Sequence, residues 1–198
     1  MGRPREYDER TAAALLDVAE RLIAEGGLEA LSVRRVASAI GATIRAVYSL
    51  FGSKDGLVIA LGTRAFNVLG DGLDALPTTD DPAGDVVEAG VVVFRRFTRS
   101  HPALFTIGFV QDGVSAEIAC AFGSAQGNAF ARLCVRIGRL KKMGQLGSRS
   151  ESQAALEFHA LCEGLAALEN RCILPADEAE HMWRDALQAL VAGWAATG

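Results

Sequence analysis

The chain has 198 residues, a formal net charge of −4 and 50% hydrophobic residues. It is long enough for a sizeable core and too apolar for disorder. The acidic balance excludes a protein coated in basic charge but permits a local basic patch.

Ala, Leu, Glu and Arg dominate and apolar residues recur at helical spacing, with no convincing alternation of apolar and polar positions, so an all-α fold is expected. No apolar signal core follows Arg3 and Arg5, and no uninterrupted apolar run is long enough to span a bilayer, which points to a cytoplasmic protein. Cys120, Cys134, Cys162 and Cys172 form no Cys-x-x-Cys pair and no zinc spacing. They read as free, buried thiols in a reducing compartment.

Met1 to Tyr7 is a short arm, either a solvated tail or a basic arm reaching phosphate or minor groove through Arg3 and Arg5. A first helix is expected from about Asp8 to Glu25, with Leu15, Val18, Ala19, Leu22 and Ile23 as its buried stripe and Gly26-Gly27 as its stop. Next, Val33, Val36, Ala37 and Ile40 fall at i, i+3, i+4, i+7 behind a capping Ser32. Gly41 stops that helix and Thr43 caps another, running to about Leu50. Two short helices around a glycine turn have the layout of a helix-turn-helix. Between Glu29 and Asp55 there is no acidic residue, but there are Arg34, Arg35, Arg45 and Lys54, as a phosphate-facing surface requires. A small helical hairpin with a solvated basic face has the same spacing and charge.

A long helix from Ser53 to about Ala75 follows, capped by Ser53 and with Asp55 in its positive first turn. It is too long to belong only to the small N-terminal unit. Pro77 to Pro82 is a break. Further helices are expected over about Ala83–Ser100, Ala103–Val110, Ser115–Met143, Glu151–Cys172 and Asp177–Thr197. His101-Pro102, Gln111-Asp112-Gly113, the loop 144–150 and Leu174-Pro175 separate them. Arg136, Arg139, Lys141 and Lys142 suit the negative end of their own helix, and Asp177 with Glu180 resembles a capping box.

The run from Thr11 through Glu25-Gly26-Gly27, Leu31-Ser32-Val33, Val36-Ala37 and Gly41-Ala42-Thr43 to Val47-Tyr48-Ser49-Leu50-Phe51-Gly52-Ser53-Lys54-Asp55-Gly56-Leu57 resembles the tetracycline-repressor (TetR) family of bacterial transcription regulators. The likeness covers roughly the first sixty residues. Leu50 and Gly56 depart from the family's habit of a polar or aromatic residue and of a helix former at these places.

The resemblance implies a three-helix DNA-binding domain over residues 1–54 and an effector-binding and dimerisation domain over 55–198. It implies a homodimeric regulator, usually a repressor, on double-stranded operator DNA. Ser32, Arg34, Thr43, Tyr48 and Lys54 carry over as backbone contacts, and Ser49 lies on the same recognition helix. Arg45 is the candidate for a bidentate contact to guanine, and Ile44 for a thymine methyl.

The C-terminal part carries Phe94, Phe97, Phe105, Phe109, Phe122, Phe130 and Phe158 with Gln126 and His159 interspersed. The resemblance makes them a candidate pocket for a small apolar or aromatic effector; an ordinary core uses the same residues. The family's last two helices usually form a four-helix dimer interface. Ala160, Gly164 and Ala167 form a small-residue strip there, and Trp183, Leu187, Leu190 and Trp194 repeat at helical spacing; packing within one chain is the alternative. His159 and Glu163 lie one turn apart, but no second Glu/His set exists for a metal site, and no nucleophile elbow, P-loop or dinucleotide fingerprint is present. No cofactor, metal or catalytic residue is expected. An α-bundle enzyme using His159 and Glu163, and a dimeric binding protein without operator recognition, remain the competing classes.

Overall fold

A computed structural model describes residues 5–196, with side chains from Glu9 onward. Met1 to Pro4, and with them Arg3 of the expected arm, lie outside the described residues, as does the Arg5 side chain. The described residues are helical with no strand, which is the expected all-α class.

Two compact units form: residues 1–65 with 101–124, and residues 66–100 with 125–198. In the first, α1 (Arg5–Gly26) packs against α2 (Val33–Ala39), α3 (Ile44–Phe51) and α7 (Pro102–Phe105). Leu15, Ala19 and Ile23 of α1 are buried, with Val36, Ala37 and Val47 from the two short helices. The expected stripe is therefore the one that enters the core. α8 (Ala116–Ala121) completes the unit. The helix expected without a break from Ser115 stops at Phe122, which is buried over Gly62, and restarts as α9 (Gly123–Lys142).

α4 (Lys54–Ala75) begins in the first unit and continues into the second. The second unit contains α5 (Pro82–Glu88), α6 (Arg96–Ser100), most of α9, α10 (Glu151–Asn170) and α11 (Ala179–Ala196). Between α5 and α6 the backbone widens to a π-helix over Ala89–Arg95, in place of the plain α-helix that the spacing predicts. The wider turn brings the consecutive residues Val93, Phe94 and Arg95 to buried positions, which 3.6-residue spacing does not predict. A second π segment, Thr106–Val110, ends at Gln111 in the left-handed region.

Arg136 serves a different helix from the one expected. Its guanidinium donates to the carbonyls of Leu73 (2.9 Å), Leu76 (3.0 Å) and Pro77 (3.1 Å), where α4 ends. Those carbonyls are the negative end of a helix and lack intrahelical partners. Arg139 likewise binds Asp85 and the Thr79 carbonyl. Burial alone would raise the Asp85 carboxyl, but the Thr79 N–H and hydroxyl and the Arg139 guanidinium outweigh it and hold it below the ordinary carboxylate range. A carboxyl depressed by folding contributes stability above its unfolded pKa, about 3.9, and loses it as pH falls through the folded value. Asp85→Asn is thus expected to lower stability at neutral pH and to flatten its fall below about pH 4. Thermal melts of both proteins across that window check this, and parallel curves would remove Asp85 from the acid response.

The cysteines are free, as expected, but Cys120 and Cys172 are exposed and only Cys162 is fully enclosed. Burial, then the Glu163 charge, pushes the Cys162 thiol well up.

Candidate nucleic-acid interface

Hydrogen bonds close the turn between α2 and α3. Gly41, at φ 66, lets the chain reverse, and the Ala42 N–H donates to the Ala37 carbonyl at 2.9 Å. The Thr43 hydroxyl accepts from Ala46 N at 3.1 Å and starts α3. Ser32 occupies the corresponding place before α2, but its hydroxyl makes no capping bond, contrary to expectation. Val47 points into the core, so the opposite side of α3 must face outward. That side carries Ile44 (40% exposed), Arg45, Tyr48 (50% exposed) and Ser49.

Arg34, Arg45 and Lys54 are exposed and make no hydrogen bond or ion pair among the described residues. Arg35 differs: its Nη1 donates to the Ala30 carbonyl at 3.0 Å, which holds the short 3-10 turn Leu28–Ala30. Leu50 is half-buried, so its apolar character serves packing. Gly52, at φ 75, ends α3, and the Ser53 hydroxyl accepts from Gly56 N at 2.9 Å to start α4. Arg34, Arg45 and Lys54 each lie within the first two residues of their helices, and exposed cations beside helix starts are suited to a phosphate backbone.

The other expected site residues divide between the two units. Phe105 and Phe109 stack at 5.4 Å, and Phe122 covers Gly62, in the first unit. Phe94, Phe97, Gln126, Phe130, Phe158 and His159 are in the second. Phe94 meets the His159 ring edge-on at 5.7 Å and lies 6.4 Å from the Trp183 ring, and Phe97 and Phe158 are buried. Gln126 is exposed and Phe130 half-buried. His159 Nε2 contacts Glu163 at 2.7 Å; among the described residues no group of three or more His, Cys, Asp or Glu is placed to hold a metal.

On the last two helices, Ala160 and Gly164 are exposed, and Ala167 and Leu190 half-buried. Trp183, Leu187 and Trp194 are enclosed within their own chain. Trp183 Nε1 donates to Glu169 at 2.8 Å, and Trp194 Nε1 to Glu157 at 2.7 Å. These indoles pin α11 to α10 in antiparallel order. Spacing alone does not reveal this, because burial against a sister helix and burial against a partner share one period. Arg149 also holds Glu157, at 3.0 Å. Glu180 takes no part in a capping box; it pairs with Arg95 at 2.9 Å, and α11 begins only at Ala179.

Residues 15–61 match the family model of bacterial regulatory proteins, tetR family. The chain shares its fold with a protein of unknown function from Rhodococcus sp. RHA1, at TM-score 0.81 and 20% identity over 93% of this chain and 95% of that one. It is similar to the TetR family transcriptional regulator PfmR of Thermus thermophilus, at TM-score 0.68 and 19% identity over 89% and 96%. A protein from Saccharomonospora viridis in complex with choline aligns at TM-score 0.72 and 18% identity over 92% and 96%. No curated protein matches. No helix among the described residues is long and apolar enough to cross a membrane.

Proposed function

We propose, from the premise that residues 15–61 are a tetR-family helix-turn-helix within a tetR-type fold, that this protein is a homodimeric, ligand-responsive repressor of transcription acting in the cytoplasm. The observation that carries the reading is the set of exposed cations Arg34 on α2, Arg45 on α3 and Lys54 at the start of α4, which have no intramolecular partner among the described residues. α3 enters the major groove. Arg45 reads a guanine edge, Ile44 touches a thymine methyl, and Ser49 lies beside them. Arg34, Tyr48 and Lys54 hold phosphates, joined by Ser32 and Thr43 at the two helix starts.

A dimer places two such helices about 34–36 Å apart, or a multiple of this, on a near-palindromic operator. The exposed small-residue face of α10 with Ala160 and Gly164, flanked by Ala167 and Leu190, is the proposed subunit contact. Functionally the chain divides at 54/55. Residues 1–54 hold the DNA contacts, and 55–198 bind the effector and the second subunit. Phe94, Phe97, Phe130 and Phe158 with Gln126 and His159 supply the apolar walls and polar handles for an effector. The choline-bound neighbour supports small-ligand binding on this fold.

Arg45→Ala is expected to cost about 1–3 kcal/mol at one operator position and to relax preference there. Lys54→Ala should weaken all sequences alike and flatten the salt dependence. Operator titrations at several salt concentrations check both. Equal loss on specific and random DNA for Arg45→Ala would make Arg45 a phosphate contact. A monomer at micromolar concentration by light scattering would remove the dimer.

A further inference from the structure

A cleft of about 500 Å3 opens within the second unit, where the end of the first π segment and α6 face the start of α11. Arg95, Arg96, Arg99 and Ser100 line it from the first side and Glu180 from the second. No Lys, His or further acid is part of the lining, so three arginines stand against one glutamate. The cleft shares no residue with the proposed operator contacts or with the aromatic set assigned above to an effector.

The three guanidinium groups differ in what holds them. Arg95 is fixed from behind: Glu169 accepts from its Nε at 3.1 Å and its Nη2 at 3.0 Å, and Glu169 is itself held by the Trp183 indole. The remaining nitrogen, Nη1, donates to the Glu180 carboxylate at 2.9 Å. The Glu180 side chain is 62% exposed, so an acceptor arriving from solvent can reach the place its carboxylate holds. Arg96 is exposed and makes no hydrogen bond or ion pair among the described residues. Arg99 is 61% exposed, and its contact with Glu169 is a loose 3.8 Å. Arg95 and Arg99 are one helical turn apart with Arg96 beside them, a grouping of like charges that an anion among them would relieve.

The charges specify the anion. Glu169 balances Arg95, so two positive charges remain for a ligand once Glu180 turns out to water. A phosphate monoester brings roughly two negative charges and three terminal oxygens, enough for three forked donors. A carboxylate or a phosphate diester brings one charge and two such oxygens. We propose that the cleft binds the phosphate group of a small, soluble phosphate monoester. Its terminal oxygens accept from Arg95 Nη1, Arg96 and Arg99, and its organic body lies against Val92, which is 37% exposed in the same lining. The Glu180 carboxylate is then an internal competitor, occupying the anion's place on Arg95 until a ligand displaces it.

The test titrates the full chain with phenyl phosphate, diphenyl phosphate and benzoate, following amide resonances by NMR at about pH 8, above the second phosphate pKa of about 6. Phenyl phosphate should shift Arg96, Arg99 and Ser100 saturably, with the two monoanions at least about tenfold weaker. Arg96→Ala and Arg99→Ala, both surface changes, should each weaken phenyl phosphate about tenfold while the rest of the spectrum stays native. Glu180→Gln should tighten it about tenfold, because the competitor loses its charge while Glu169 still holds Arg95. Flotation with vesicles containing phosphatidic acid, also a monoester, tells a soluble ligand from a lipid headgroup. The proposal is overturned if phenyl phosphate does not saturate, if the three probes bind alike, or if Glu180→Gln leaves its affinity unchanged. It is overturned too if the vesicles retain the wild type and not Arg96→Ala, which would make the ligand a lipid.

Discussion

Glu169→Ala is expected to lower the stability of the second unit by about 3–5 kcal/mol, the range for leaving one partner of a buried ion pair alone. Glu169 accepts from Arg95 Nε at 3.1 Å, from Arg95 Nη2 at 3.0 Å and from the Trp183 indole at 2.8 Å, with Arg99 3.8 Å away. Arg95 is 6% exposed and Trp183 0%. Alanine therefore strands a buried guanidinium, with Glu180 as its remaining partner, and a buried indole N–H. Glu157 is the control, since it binds Trp194 and Arg149 with its side chain 32% exposed, against 14% for Glu169. Glu157→Ala should cost clearly less. Urea unfolding of both variants, read as a change in midpoint at constant slope, decides it. Equal costs would mean that water reaches Arg95 and that the ion pair is a surface one.

Gly56→Ala is expected to destabilise, against the sign of helix propensity, which by itself favours alanine by about 1 kcal/mol. A Cβ at Gly56 would lie 1.8 Å from the Phe51 carbonyl oxygen. That atom belongs to the backbone at the end of α3, so the first turn of α4 must move away from it. Forced packing of this kind typically costs about 1–3 kcal/mol. Because α3 is the proposed recognition helix, operator affinity should fall with stability. Gly62→Ala tests the same helix differently. Its Cβ would lie 2.3 Å from a carbon of the Phe122 ring, a side chain that can be shortened. Phe122→Leu should partly rescue Gly62→Ala and leave Gly56→Ala untouched. A Gly56→Ala protein more stable than the wild type would show that the α3–α4 junction yields freely. Both glycines thus permit close approach.

The helix-turn-helix was legible because most local signals agree there, although Ser32 makes no capping bond and Ile40 of the expected apolar face is exposed. Gly41, Thr43 and the Val36, Ala37, Val47 pattern each specify the same short geometry, and the absence of acidic residues marks the exposed face. Gly56 is the part of that region that spacing could not explain, because the Phe51 carbonyl it meets is visible only in three dimensions. In the second unit local signals are weaker guides. The π segment breaks the 3.6-residue period and buries Arg95, which regular spacing does not predict. Arg136 reads as a complement to its own helix and instead completes α4, more than sixty positions earlier at Leu73. The tryptophans read as anchors for a partner and are consumed by glutamates of the preceding helix. Each of these turns on a contact distant in sequence, which periodicity does not encode.

The pairing of indoles with glutamates also determines what an optical experiment sees. The chain has two tryptophans, and both are in the second unit; its two tyrosines, Tyr7 and Tyr48, are in the first. Emission excited through tryptophan alone therefore follows α10 and α11 and is silent about the helices proposed to touch DNA. Both indoles are sealed from solvent and hydrogen-bonded, so their emission should shift to the red as those bonds break. A melt followed by that signal and one followed by helical circular dichroism will coincide only if the two units unfold as one cooperative body. Divergence between the traces would give each half of the molecule its own transition.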